Sequence, residues 1–353
     1  MHFVENIALM SLRLVLQAAT LVAILVTSAA STLASTHEVQ AARVIRCGLN
    51  HEQRPAVVTG VVISPDGRLI AAASDDHSVR IWDAATGQLQ VQLNGHRDWV
   101  RSLALSADGQ TLASGANDHT VILWNATSGQ QLFDVPTFGN PVAAVSFHPN
   151  NQQLAIVGFC DQLQIVNTST GQVSQQLSCP SSDLRAIAFS PDGVRMAVAG
   201  RNGQIRLWNV MNGVLERDIP AGRHRIRSLA FSPDGTRLAS AGDGVMVHIL
   251  NLADGSQDIS LPARPAKIHA AVFVDNQTLA TGGSDNRIQL WDLGSRIVTK
   301  TLVGHTGSVA ALACDSTGAT LVSGSYDTTI RVWNLRGPAE SEAVARATGE
   351  PAR

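Results

Sequence analysis

Gly304 to Asn334 reads GHTGSVAALACDSTGATLVSGSYDTTIRVWN. It holds three short apolar runs, Val309–Cys314, Thr320–Ser325 and Thr329–Trp333, separated by Asp, Ser, Thr and Gly. Each run is too short for a stable helix and is bounded by turn formers, so the stretch predicts three antiparallel strands. Aligned on Trp333, it recurs upstream at Trp82, Trp124, Val166, Trp208, Leu250 and Trp291. The step is 42 residues throughout, except for the one of 41 that ends at Trp291. A beat that regular marks an internal repeat of seven units.

The residue after each of these positions is Asp83, Asn125, Asn167, Asn209, Asn251, Asp292 or Asn334, so Asp or Asn every time. The first two strands of a unit are joined by SPDG at Ser64, Ser190 and Ser232, by SADG at Ser106, HPNN at His148 and DSTG at Asp315. Pro presets φ, and Asp or Asn with Gly accepts the tight turn. The sixth unit carries Val274, Asp275 and Asn276 there instead, which accounts for its missing residue.

Gly95-His96 and Gly304-His305 open their units, and Trp82-Asp83 and Trp291-Asp292 close theirs. On these motifs residues 40–336 resemble the WD-repeat β-propeller family. The resemblance implies an all-β fold, a seven-bladed β-propeller of four-stranded antiparallel blades. It also implies a hydrogen-bonded relay of His, Ser or Thr, Asp and Trp. His96, Ser114, Asp118 and Trp124 match it in the second unit, and His305, Ser323, Asp327 and Trp333 in the seventh. The first unit keeps Asp76 and Trp82, the sixth Thr281, Asp285 and Trp291, and the fourth Trp208. The third and fifth, with Val166 and Leu250, lack the indole. Each repeated Trp, buried against a neighbouring blade, contributes on the order of 3 kcal/mol by area.

Each unit adds a fourth strand, such as Leu89–Leu93 or Gln131–Val135, that leads into the next. The seventh has none, because residues 337–353 turn polar and Ala-rich, a tail expected to be disordered. The run AARVIRC, which ends at Cys47, alternates like a strand and precedes the first unit. It is therefore expected to complete the last blade, closing the ring without a sheet edge. Residues 1–35 carry an uncharged stretch that begins at Leu14 after Arg13, which predicts an export signal or an uncleaved anchor. The expected location is periplasmic, extracellular or membrane-anchored facing outward.

A net charge of -2 provides no global field for nucleic acid. HEQRP at His51 lacks the second His of a zinc-protease helix, and the four Cys contain no CxxC pair, so neither a metal nor a cofactor is expected. Cys160 and Cys179 fall on rim turns of adjacent units, and a disulfide between them is one reading beside free thiols. The structural relay accounts for His near Ser and Asp, so no catalytic set is assigned.

By the family resemblance, the residues flanking the first apolar position of each inner strand face the central opening. They are Val57 and Thr59, Trp99 and Arg101, Pro141 and Ala143, Asp183 and Arg185, Arg225 and Arg227, Lys267 and His269, and Ser308 and Ala310. Positive charge gathers in one arc of this set, joined by Arg201 and Arg223, and Tyr326 sits on the same rim. Arg with exposed aromatics is the composition of an interaction hot spot. The expected partner is an acidic protein or peptide, with solvated loops, an acidic glycan, an enzyme using His269 beside Asp183, and an anchored envelope-assembly component as alternatives.

Overall fold

The computed structural model describes residues 37–49, 53–137, 139–179, 183–263 and 266–336. The leader expected in 1–35 and the tail expected in 337–353 lie outside the described residues. Within them the chain forms seven antiparallel sheets, each built from three or four consecutive strands. The reference stretch forms Val309–Cys314, Thr320–Ser325 and Thr329–Asn334. The first blade runs Val58–Ile63, Leu69–Ser74, Ser78–Asp83 and Leu89–Asn94 from the axis outward.

Closure follows the expectation. Strand Arg43–Arg46 pairs with Thr329–Asn334, with Arg43 opposite Val332 and Ile45 opposite Ile330, and so supplies the outer strand of the seventh blade. Ile45 is buried in a cluster with Ile330 and Val332. A feature not anticipated lies just before it. Strand His37–Gln40 adds a fifth strand outside Ile297–Val303 on the sixth blade, so the N-terminal segment is divided between two sheets.

The core is divided among the blade interfaces. Trp124 packs with Val79 and Ile81 of the first blade, Trp333 with Ile288 and Leu290 of the sixth, and Trp82 with Val322 and Ile330 of the seventh. Each indole thus fastens its own blade to the one before it. Val166 and Leu250 are equally buried at the same register and hold the interface by apolar contact alone.

The Asp or Asn after each of these positions has a local cause. Its side-chain oxygen accepts the N–H of a residue two or three positions on, from Thr86 to Asp83 at 2.7 Å through to Arg336 to Asn334 at 3.1 Å. This turn between third and fourth strands needs a short acceptor that can reach its own backbone. Gly129, at φ 73, shows the left-handed position that closes it.

Candidate functional site

All seven inner strands carry a bulge at the same place. Val58 pairs with Ser74 but Gly60 with Ala73, leaving Thr59 unopposed. The same shift leaves Arg101, Ala143, Arg185, Arg227, His269 and Ala310 unopposed in the other blades. A bulge re-aims a side chain away from the ladder, and these seven residues line one hollow around the axis together with Phe159 and Tyr326. A second layer comes from the turn after each second strand, seven residues before the Trp position, where Asp75, Asn117, Phe159, Arg201, Asp243, Ser284 and Tyr326 stand.

The charges of this mouth are unevenly compensated. Arg227 donates to Asp243 at 2.6 Å, and Asp183 is held by its neighbour Arg185 and by Arg225 of the next blade at 3.3 Å. Burial alone would raise the Asp243 carboxyl, but the hydrogen bond and charge of Arg227 outweigh it and hold the group below its ordinary value. Arg101 instead donates its Nε to the amide oxygen of Asn117. Its guanidinium lies 5.4 Å from the Phe159 ring centre and 6.0 Å from that of Trp99, within cation–π range. Arg185 sits on Phe159 as well, at 3.8 Å. Burial, and then the charge of Arg185, lower the pKa of Arg101. Trp99 and Tyr326 are 47% and 52% exposed, and with Arg101, Thr59 and Asp75 they line a hollow of about 430 Å³.

The relay lies behind this rim. In the second blade His96 Nδ1 is 2.9 Å from Asp118, its Nε2 is 2.8 Å from Ser114 Oγ, and Trp124 Nε1 donates to the same Oγ at 2.8 Å. A ring N–H directed at the carboxylate leaves Nε2 to accept from the serine hydroxyl, whose oxygen takes the indole proton. For Asp118, burial is outweighed by hydrogen bonds from His96, the Arg97 N–H and Thr120, so its carboxyl stays well below the usual range. The seventh blade repeats the set with His305, Asp327, Ser323 and Trp333 at 2.7 to 2.9 Å. Ser114 and Ser323 are 0% exposed, buried as struts.

The matches to known proteins agree with this geometry. Residues 57–297, more than half of the chain, match the model of the IFT122 first beta-propeller, and residues 296–334 match the WD domain, G-beta repeat. The chain belongs to the WD-repeat β-propeller family. Among similar proteins, the U3 snoRNP-associated protein-like EMB2271 of Arabidopsis thaliana is 43% identical over 60 residues, 17% of this chain and 12% of that protein. The nuclear distribution protein PAC1 of Tuber melanosporum is 45% identical over 60 residues, 17% and 13%. Mitochondrial division protein 1 of Schizosaccharomyces pombe is 38% identical over 58 residues, 16% and 9%. The chain spans about an eighth or less of the length of these curated relatives, whose names describe three different tasks. WD-repeat propellers share a scaffold that generally binds proteins, and the site decides the partner.

In this WD-repeat propeller, the expected rim residues separate into groups. Trp99, Arg101 and Tyr326 share one hollow, and Arg101, Arg185, Arg227, His269 and Tyr326 share the adjoining one. Arg225 lies to the side, bridging Asp183 and Asp243, while Arg201 and Lys267 stand exposed. Phe159 was missed. Its signal was available, since it occupies the rim register seven residues before Val166.

Two readings are corrected. The Cys160–Cys179 bridge is not formed. The Cys179 N–H bonds the Asp161 carbonyl at 2.6 Å, so both residues share a rim, but its Sγ is turned to Arg206 at 3.7 Å while Cys160 Sγ faces the Gln162 carbonyl. His269 does not pair with Asp183, whose carboxylate is occupied by Arg185 and Arg225. The His269 pKa is lowered by burial and then by the charge of Arg227. Among the described residues no three His, Cys, Asp or Glu side chains group to hold a metal.

The incomplete relays of the first and fourth blades differ, the first being patched and the fourth not. Arg80 replaces the missing His, holding Asp76 at 2.7 Å in the buried interior. Trp208 has Val198 where Ser114 or Ser323 would be, and its indole N–H has no hydrogen-bond partner among the described residues.

Proposed function

We propose that this propeller is an exported, non-catalytic recognition module that takes an acidic protein segment at its channel mouth, anchored on Arg101. The supporting observation is the unequal pairing of the mouth arginines. Arg185, Arg225 and Arg227 share two aspartates, whereas Arg101 is oriented by a neutral amide and flanked by aromatic rings. A half-buried guanidinium held in place but not neutralised gains most from a ligand carboxylate, because little orientational freedom remains to be lost. Trp99 and Tyr326 beside it offer apolar area to a residue adjacent to that carboxylate.

The experiment compares two labelled peptides of one length, an Asp- and Glu-rich one with interspersed Phe and its Asn and Gln counterpart. Preferential capture of the acidic peptide, weakened by salt and reduced at least tenfold by Arg101→Glu at unchanged melting temperature, is expected. Equal capture by Arg101→Glu removes this site. The apolar run that begins at Leu14 supports export, and the mass of the native N-terminus tests it, with a mature start near Ser31 or Ser35 expected.

A further inference from the structure

The fifth blade contains a further hollow, about 220 Å³ in volume, among the rim loops around Gly222 and Gly244. Its position follows from the register of the relay. Where the second blade has His96, Asp118 and Trp124, the fifth has Gly222, Gly244 and Leu250. Two rings and a carboxylate have thus been replaced by two hydrogens and an isobutyl group, and the surrounding sheet has not collapsed into the space. Of the quartet only Ser240 remains, at the register of Ser114, and it lines the hollow.

Ser114 receives both the imidazole and the indole of its blade, at 2.8 Å each. The Ser240 hydroxyl has no such partner among the described residues. Across the strand pair Ser240 faces His248, whose Nδ1 is buried and without a hydrogen bond. Two acceptor-capable groups therefore border a space whose remaining walls are backbone, Ile226, Val245 and Met246, with His224 and Arg225 as its other polar neighbours. An apolar cavity of about 150 Å³ accepts benzene, so this one has room for a bicyclic ring. The structure assigns the fifth blade a binding site for a planar heteroaromatic ring carrying an N–H, an indole or its like, that enters from outside and fills the place His96 and Trp124 take in the second blade. This site does not depend on the reading of Arg101.

Indole is the probe, with 1-methylindole as the variant lacking the donor and N-acetyltryptophanamide as the mimic of a protein side chain. Indole at ten times its dissociation constant is expected to raise the melting temperature of the full chain by about 3 °C. 1-Methylindole is expected to bind at least fivefold more weakly. Response to the amide as well as to indole assigns the occupant to a partner's side chain, and response to indole alone assigns it to a small molecule. Leu250→Trp places an indole at the register of Trp124, whose ring tip reaches the position of Gly95, the counterpart of Ala221 on the wall of the hollow. This variant should lose the response. Should it fail to fold, Ser240→Ala keeps the cavity, removes the hydroxyl and is expected to weaken indole binding at least threefold. An unchanged response in Ser240→Ala, equal binding of the two indoles, or no response in the parent protein overturns the proposal.

Discussion

The second and fifth blades are the same chain segment twice, 126 residues apart by register, and they differ at nearly every polar position that matters. The second has a filled relay behind its rim and Arg101 held by Asn117 in front. The fifth has an emptied relay and Arg227 held by Asp243. One blade is filled inside and has its arginine on a neutral amide at the mouth, and the other is the reverse. The strands are matched residue for residue, so the backbone does not distinguish the two. In a quasi-one-dimensional repeat each blade answers mainly to its neighbours, which lets interior and rim diverge locally without cost to closure.

The largest expected contrast is in packing. Trp124→Ala removes a ring that is 2% exposed together with its hydrogen bond to Ser114, and is expected to cost about 4 kcal/mol. Leu250→Ala at the same register removes fewer atoms and no hydrogen bond, and is expected to cost about 2 kcal/mol. Chemical denaturation of both variants checks this, and an equal or reversed order breaks the comparison.

Acid gives a smaller contrast. The Asp118 carboxyl is depressed in the folded chain, so the unfolded chain takes up the proton first. The stability it supplies is complete above the unfolded value of about 3.9 and is lost as pH falls through and below it. Gly244 leaves the fifth blade with no carboxylate at this register. Asp118→Asn should lower stability at neutral pH by about 1 kcal/mol, allowing for solvent near the group, and should lose less than the parent between about pH 4 and 2. Parallel pH profiles for the two proteins would place the acid-sensitive group elsewhere.

Most of the scaffold was legible because each signal was local and repeated. The Trp beat set the sheets, and the Asp or Asn after it is explained by one turn in which a side chain caps its own backbone. The outer strand supplied by Arg43–Arg46 followed from counting strands. His37–Gln40 did not, because pairing on the sixth blade depends on where the chain passes before it reaches the seventh. The mouth was legible by position and opaque by partner. Sequence placed Arg101, Arg185 and Arg227 at one register, but Asp183 engaging arginines of two blades is a fact of their spacing in space. The emptied fifth relay was legible only as a missing indole, since two glycines in a loop read as turn formers until the register assigns them to vacated His and Asp positions.

The smallest effect on stability carries the sharpest test of the rim. Asn117→Asp gives the second blade the pairing of the fifth, changing an amide oxygen that already accepts from Arg101 into a carboxylate. A half-exposed ion pair of this kind is worth about 0.5 kcal/mol, so the melting temperature should rise by no more than about 2 °C. Binding of the acidic peptide should nonetheless fall about tenfold, because the ligand carboxylate now competes with one inside the protein. The reciprocal Asp243→Asn releases Arg227 and should strengthen binding if the mouth reads net charge alone. If it reads Arg101 in its setting of Trp99, Phe159 and Tyr326, Asp243→Asn changes affinity by less than about twofold, since among the described residues none of those rings lies within cation–π range of Arg227. Fluorescence titration of the two variants side by side therefore separates a diffuse basic mouth from a single oriented guanidinium.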